Sequence, residues 1–190
     1  MTDTGHDVKV LGFAGSLRKD SYNRAALRAA QELLPPGMTL EIFDLAPIPL
    51  FNEDVEREGF PAAVLEFKER IADADALLIS TPEYNYSIPG VLKNAIDWAS
   101  RPPGKSPLAG KPLAIMGASI GYFGSARAQY HLRQVCVLLN MHPVNSPEVF
   151  ISGAASKFDE TGKLTDGMFR NNIKKLLQAL QEWTIRLREA

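Results

Sequence analysis

Apolar residues in this chain fall into short unbroken runs, separated by longer stretches in which they recur every three or four positions, and the alternation repeats about five times. The first run is Val8–Ala14. Behind it, Tyr22, Ala25, Ala26, Ala29, Ala30, Leu33 and Leu34 mark one face of a helix that Pro35-Pro36-Gly37 ends. A second run, 40–43, leads through Pro47, Pro49 and Asn52 to a helix near 61–74. The third run, 76–81, has the look of a central strand. Pro89 suits the first turn of the next helix, whose inward stripe is Val91, Leu92, Ala95, Ile96 and Ala99. Residues 113–118 form the fourth run, followed by a helix over 125–140 and a short fifth strand at 148–151. From 166 to 189, Phe169, Ile173, Leu176, Leu177, Leu180, Trp183 and Leu187 predict a closing helix packed on the sheet.

Strands joined by helices imply right-handed crossovers and a parallel sheet covered on both faces. With 190 residues, 45% of them apolar and 23% charged, the chain suits one α/β domain over 1–190. Five strands with five helices favour a flavodoxin-like three-layer sandwich, strand order 2-1-3-4-5, over the larger Rossmann arrangement. In such a sheet the ligand sits beyond the carboxyl ends of the strands at the switch point. The loops after the first, third and fourth strands are therefore the expected functional ones.

Charge and composition narrow the partners. The formal net charge is -1 and no run of like charges stands out, which argues against a nucleic-acid groove or a polybasic membrane patch and leaves small molecules. Residues 1–7 are polar with no apolar leader core, and the longest apolar runs are too short to span a bilayer, so the expected location is the cytoplasm. A single cysteine, Cys136, excludes an intrachain disulfide and, among Val135, Val137, Leu138 and Leu139, reads as an inert core thiol. His6, His131 and His142 lie outside the three loops and read as structural or solvated. No spacing of His, Cys and Asp argues for a metal.

The first loop, Gly15-Ser16-Leu17-Arg18-Lys19-Asp20-Ser21-Tyr22-Asn23, opens directly into a helix. Unpaired N–H groups at a helix start favour a phosphate, to which Ser16 and Ser21 add hydroxyls, Asn23 an amide and Arg18 a guanidinium. Arg24 stands where a capping glutamate would, a choice that an external anion would explain. An ordinary Ser-capped turn fits this loop alone as well. The loop has neither the Lys-Ser/Thr of a Walker loop nor the Gly-x-Gly-x-x-Gly of a dinucleotide turn, which leaves a monophosphate. After the third strand, Pro82-Glu83-Tyr84-Asn85-Tyr86-Ser87-Ile88-Pro89-Gly90 could present rigid backbone groups and an aromatic to a flat heterocycle, or could simply be a stiff connection. The third loop, residues 117–125, is glycine-rich and carries Ser119 as a donor to a ring carbonyl.

In order and spacing, Gly15-Ser16-Leu17-Arg18-x-x-Ser21-x-Asn23 and Pro82-Glu83-Tyr84-Asn85-Tyr86-Ser87-x-Pro89-Gly90-x-Leu92-Lys93-Asn94-x-x-Asp97-Trp98 strongly resemble the NADPH-dependent FMN reductase family. The stretch Ser125-x-Arg127-Ala128-Gln129-x-x-Leu132-Arg133 looks most like its soluble chromate and quinone reductase branch, to which azo-dye reductases are related. The resemblance implies that Ser16, Arg18, Ser21 and Asn23 hold an FMN phosphate, with the Tyr22 backbone N–H assisting. Pro82, Glu83, Tyr84 and Asn85 would contact the isoalloxazine, with Ser119 nearby. It implies NADPH or NADH as donor, and quinones, chromate, ferric chelates or azo dyes as acceptors, with no catalytic side chain named. A dimer or tetramer is expected, with Arg127, Tyr130 and Glu148 at its interface. The competing class is a flavodoxin-type electron carrier.

Overall fold

Side chains alternate along the strands and so divide the core in two. In the computed structural model, which describes residues 7–189, β1 (Val8–Ala14) sends Val8 and Val10 to one face of the sheet and Leu11 and Phe13 to the other. Under the first face lie α1 (Tyr22–Glu32) and α6 (Gly167–Arg188), with Ala25, Ala26, Ala29 and Ala30 meeting the sheet and Phe169, Ile173, Leu176, Leu177 and Leu180 beside them. The second face carries α3 (Ala62–Asp73), α4 (Gly90–Ala99) and α5 (Ala126–Leu138), through Val64, Phe67, Ile71, Leu92, Ile96, Trp98 and Leu132. Cys136 belongs to this second core. Burial pushes its thiol up to about 11, against the smaller opposing pull of Arg133.

The remaining elements are β2 (Met38–Phe43), α2 (Glu53–Glu58), β3 (Ala76–Ser80), β4 (Pro112–Ala118), β5 (His142–Pro143) and β6 (Val149–Ile151). The pairings between these strands are parallel, in the order 2-1-3-4-5, with β6 also pairing β4. This is the expected flavodoxin-like layering, and its switch point lies between β1 and β3.

Two elements differ from expectation. The fifth strand position is shared by β5 and β6, so the sheet has six strands. Pro147, between them, has no N–H to give a ladder, and the edge resumes only at Val149. The other difference is α2, a sixth α-helix among the described residues. None of its residues is buried, so it has no apolar stripe; the Asn52 cap and the acidic first turn hold it instead. His6 lies outside the described residues. His142 sits in β5 opposite Pro112, and its carbonyl accepts from Trp183 Nε1. No helix among the described residues is long and apolar enough to cross a membrane.

Candidate flavin site

At the end of β1 the chain turns against β3. Gly15 donates its N–H to the Ser80 carbonyl at 2.9 Å, and a Cβ here would stand 3.2 to 3.3 Å from Thr81 Oγ1 and Leu92, so the close approach favours glycine. Ser21 caps α1: its Oγ accepts from Asn23 N at 3.2 Å and Arg24 N at 3.4 Å, and its own hydrogen stays available to an anion. The N–H groups of Ser16, Leu17 and Tyr22 meet no acceptor among the described residues. Ser16 is buried, and its Oγ lies 3.4 Å from Arg18 N. The exposed Arg18 guanidinium has no carboxylate partner among the described residues and lies 5.4 Å from the Tyr22 ring centroid. Ser16, Arg18, Ser21 and Tyr22 thus converge on one turn of open donors.

Asn23 has a different part from the expected one. Its side chain is buried and faces the sheet: Oδ1 accepts from Ala118 N at 2.9 Å and Ser80 Oγ at 3.0 Å, while Nδ2 donates to the Ala118 carbonyl at 2.9 Å. The amide joins α1 to β3 and β4 instead of reaching into the phosphate turn. Arg24 likewise needs no external anion, because Asp44 meets its charge at 3.2 Å.

Across the switch point, Tyr84 and Ser87 exchange both backbone hydrogen bonds at 3.0 Å, with Asn85 at φ 50° and Tyr86 at φ 70° between them. Two successive positive φ values are the pattern of a type I′ turn, which Asn tolerates and Tyr does not favour. Arg127 compensates: its guanidinium carbon lies 3.7 Å from the Tyr86 ring centroid and 4.6 Å from that of Phe123. Arg127 in turn forms an ion pair with Glu83, whose side chain is only 7% exposed. The same carboxylate accepts the backbone N–H of Arg127 at 3.0 Å and of Ala128 at 3.4 Å. Glu83 therefore caps α5 from a different loop, a task that Ser125, at φ 72°, leaves undone. The Glu83 carboxylate is thus engaged by Arg127 and by the start of α5, and Arg127 makes its ion pair within its own chain.

Ser119 Oγ accepts from Gly121 N at 3.1 Å. Together Glu83, Asn85, Tyr86, Ser119, Phe123 and Arg127 line a cavity of about 310 Å³. Pro82 is buried, and Tyr84 is half exposed. A second cavity, about 370 Å³, borders the phosphate turn at Arg18, Ser21 and Tyr22.

The polar residues of the longer motifs act as ties. Asn94 Oδ1 accepts from Phe51 N at 2.7 Å, its Nδ2 donates to the Pro49 carbonyl at 2.8 Å, and Trp98 Nε1 donates to the same carbonyl at 2.9 Å. These bonds pin the segment after β2 to α4. Gln129 reaches the Val149 carbonyl at 3.0 Å and Arg133 the Val144 carbonyl at 2.9 Å, fastening α5 to the split edge. Nor is His131 remote from the second loop, for its Nδ1 lies 3.1 Å from Ser87 Oγ.

The sequence profile of the family described as NADPH-dependent FMN reductase matches residues 8–156. The chain belongs to that family. It is 62% identical over 182 residues to an NAD(P)H-dependent FMN reductase of Pseudomonas aeruginosa, covering 96% of this chain and 98% of the relative. An NAD(P)H:quinone oxidoreductase of Solanum tuberosum is 46% identical, covering 95% of each chain. Among solved structures, a flavoenzyme NAD(P)H:(acceptor) oxidoreductase of Paracoccus denitrificans superimposes with a TM-score of 0.86 at 35% identity, covering 94% of this chain and 98% of that one. As an FMN reductase family member, the chain is an NAD(P)H-dependent flavin oxidoreductase with FMN as its cofactor. The residues fit that cofactor. Three open backbone donors, two serine hydroxyls and an unpaired guanidinium suit a monophosphate, and an aromatic-walled cavity lies past the ends of the neighbouring strands.

Proposed function

We propose that this chain is a single-domain oxidoreductase that passes electrons from NADH or NADPH through FMN to quinones, with chromate, ferric chelates and azo dyes as further acceptors, in the cytoplasm. The observation that carries the reading is the turn at 15–22, where open N–H groups and an unpaired Arg18 stand beside the ends of β3 and β4. The FMN phosphate is held by the Ser16 and Ser21 hydroxyls, the Arg18 guanidinium and the N–H groups of Ser16, Leu17 and Tyr22. The Pro82, Glu83, Tyr84 and Asn85 backbone borders the ring, with Ser119 donating from the third loop.

Bound FMN supplies the acceptance and return of a hydride, so the polypeptide has to bind, orient and shield. Tyr86 and Phe123 wall the ring cavity and Arg127 keeps both walls in place. The Solanum tuberosum relative's name supports quinones as acceptors.

A homo-oligomer, dimer or tetramer, is part of the same reading. An apolar groove of about 660 Å³ between α4 and α5, lined by Ile88, Val135, Leu138 and Leu139, supports it. Tyr130 and Glu148, 3.4 Å apart at the surface, remain candidates for the contact. The test is steady-state oxidation of NADH and NADPH by the purified protein with a quinone acceptor. Turnover well above that of free FMN is expected; turnover no greater than free FMN would reduce the protein to an electron carrier.

A further inference from the structure

The cavity beside the phosphate turn, about 370 Å³, extends past the residues that the FMN reading uses. Arg18, Ser21 and Tyr22 form its near end; its far end is made by Arg28, about two turns along α1 from Ser21, and by the segment 158–162. Phe158 is buried with its ring centroid 5.1 Å from that of Tyr22, which gives the cavity an aromatic side. Asp159 is spent within its own loop, where Oδ1 accepts from the N–H groups of Thr161 and Lys163 at 2.9 Å and from Thr161 Oγ1 at 2.6 Å. Asp20 lies in the phosphate turn itself. The charges left at the far end are Arg28 and Glu160, both exposed, and neither forms an ion pair among the described residues. They belong to one wall, for a Cβ at Gly162 would stand 3.3 Å from Arg28 Nη2.

This wall continues to the third loop. Ala154 N donates to the Ser119 carbonyl at 3.0 Å and Gly153 N to the Gly121 carbonyl at 3.3 Å, so the approach to 158–162 is tied to residues beside the ring cavity. A reduced nicotinamide lying against the flavin has to carry its adenosine half elsewhere, and a dinucleotide following the wall brings that half to Arg28 and Glu160. NADH and NADPH differ only there, in a 2′-hydroxyl or a 2′-phosphate on the adenosine ribose. A carboxylate accepts a hydrogen bond from the hydroxyl and repels the phosphate, whereas a guanidinium attracts the phosphate.

We infer that the far end of this cavity is the subsite for the adenosine ribose of the nicotinamide donor, in which Arg28 favours the 2′-phosphate of NADPH and Glu160 the 2′-hydroxyl of NADH. The inference rests on the NAD(P)H-dependent reading above and deepens it. Opposed charges on one wall give a donor site that takes either dinucleotide, and removing one charge should tip it towards the other.

The test measures kcat/KM for NADPH and NADH with FMN-saturated protein and a quinone acceptor. The NADPH-to-NADH ratio should fall about tenfold in Arg28→Ala, the loss of one charge-assisted contact, and stay within about threefold of the wild type in Arg28→Lys. In Glu160→Gln the same ratio should rise about threefold, because a repulsion of the phosphate is removed. Calorimetric binding of adenosine 2′,5′-bisphosphate to the FMN-saturated protein gives a readout apart from turnover. It should weaken about tenfold in Arg28→Ala, while binding of 5′-AMP changes less than about twofold. Both side chains are exposed, so the variants keep the fold. A ratio unmoved by either charge-removing substitution, or equal losses for both donors, would overturn the inference and leave the oxidoreductase reading intact. Oxidation of neither donor by the wild type would overturn both.

Discussion

The turn at 15–22 and the aromatic cavity, which we propose serve one ligand, are built in opposite ways. Residues 15–22 obtain their chemistry locally: a Gly that lets the chain pass close to β3, a Ser that caps the helix beginning next to it, and backbone N–H groups left open by the start of α1. The cavity is made across the fold, from a carboxylate that caps a helix more than forty positions away and an arginine that returns to stack on the carboxylate's own loop. Strain follows the second design. Of the four non-glycine residues with positive φ among the described residues, Asn85, Tyr86 and Ser125 line this cavity. A turn made of neighbours can be changed one residue at a time; a clamp made of distant partners fails as a unit.

The contrast can be tested by substitutions of decreasing expected effect. Asn23→Ala should be the most damaging. It leaves the Ala118 N–H and C=O and the Ser80 hydroxyl buried without partners, at a cost of about 3 kcal/mol in urea denaturation of the apoprotein. A loss below about 1 kcal/mol would return Asn23 to the role of a simple phosphate ligand. Arg18→Ala should come next, weakening FMN binding at least tenfold, about 1.4 kcal/mol, with little change in folding stability. Fluorescence titration of FMN reads this directly, and an unchanged Kd would remove Arg18 from the site.

Cys136 gives a reporter for the second region, since it lies on the helix that Glu83 caps. Removing a cap costs about 1 kcal/mol, so Glu83→Ala should speed modification of Cys136 by a thiol reagent about fivefold, whereas Arg18→Ala should leave the rate alone. Equal rates in both variants would mean that the two regions are not separately built. The thiol also predicts a pH dependence. Its folded value, about 11, is above the unfolded one, so its contribution is fully present below about pH 9 and is lost as the pH rises towards 11. Wild type should therefore lose roughly 2 kcal/mol more than Cys136→Ala over that window. The smallest effect belongs to Arg24→Ala, which should alter FMN affinity less than twofold because that side chain answers Asp44.

What could be read in advance divides along the same line. The strands, α1, α4 and the closing helix were legible because burial on one face leaves a period in the sequence, and the phosphate turn because its donors are adjacent residues. By contrast α2 has no fully buried residue, with only Val55 packed partly against the core, and leaves no period. The split edge depends on a proline's missing N–H. Glu83 could be placed in the right loop, but a carboxylate cannot announce that it will turn towards Arg127, since no spacing rule links positions 44 apart. The motifs around Asn94 and Gln129 were visible as words without a meaning; the bonds to Pro49 and Val149 give the meaning, and it is fastening rather than contact with a ring.

Asn23 also acts as a gauge. Its one amide touches the last residues of β3 and β4 while its backbone belongs to the first turn of α1, so a single buried side chain helps to fix the distance between the start of α1 and the ends of those strands. Neither end can drift without breaking a bond at the other. In the proposed binding mode the site accordingly measures length: a ligand with a shorter tether between ring and anion would have to forgo one of its two anchorages.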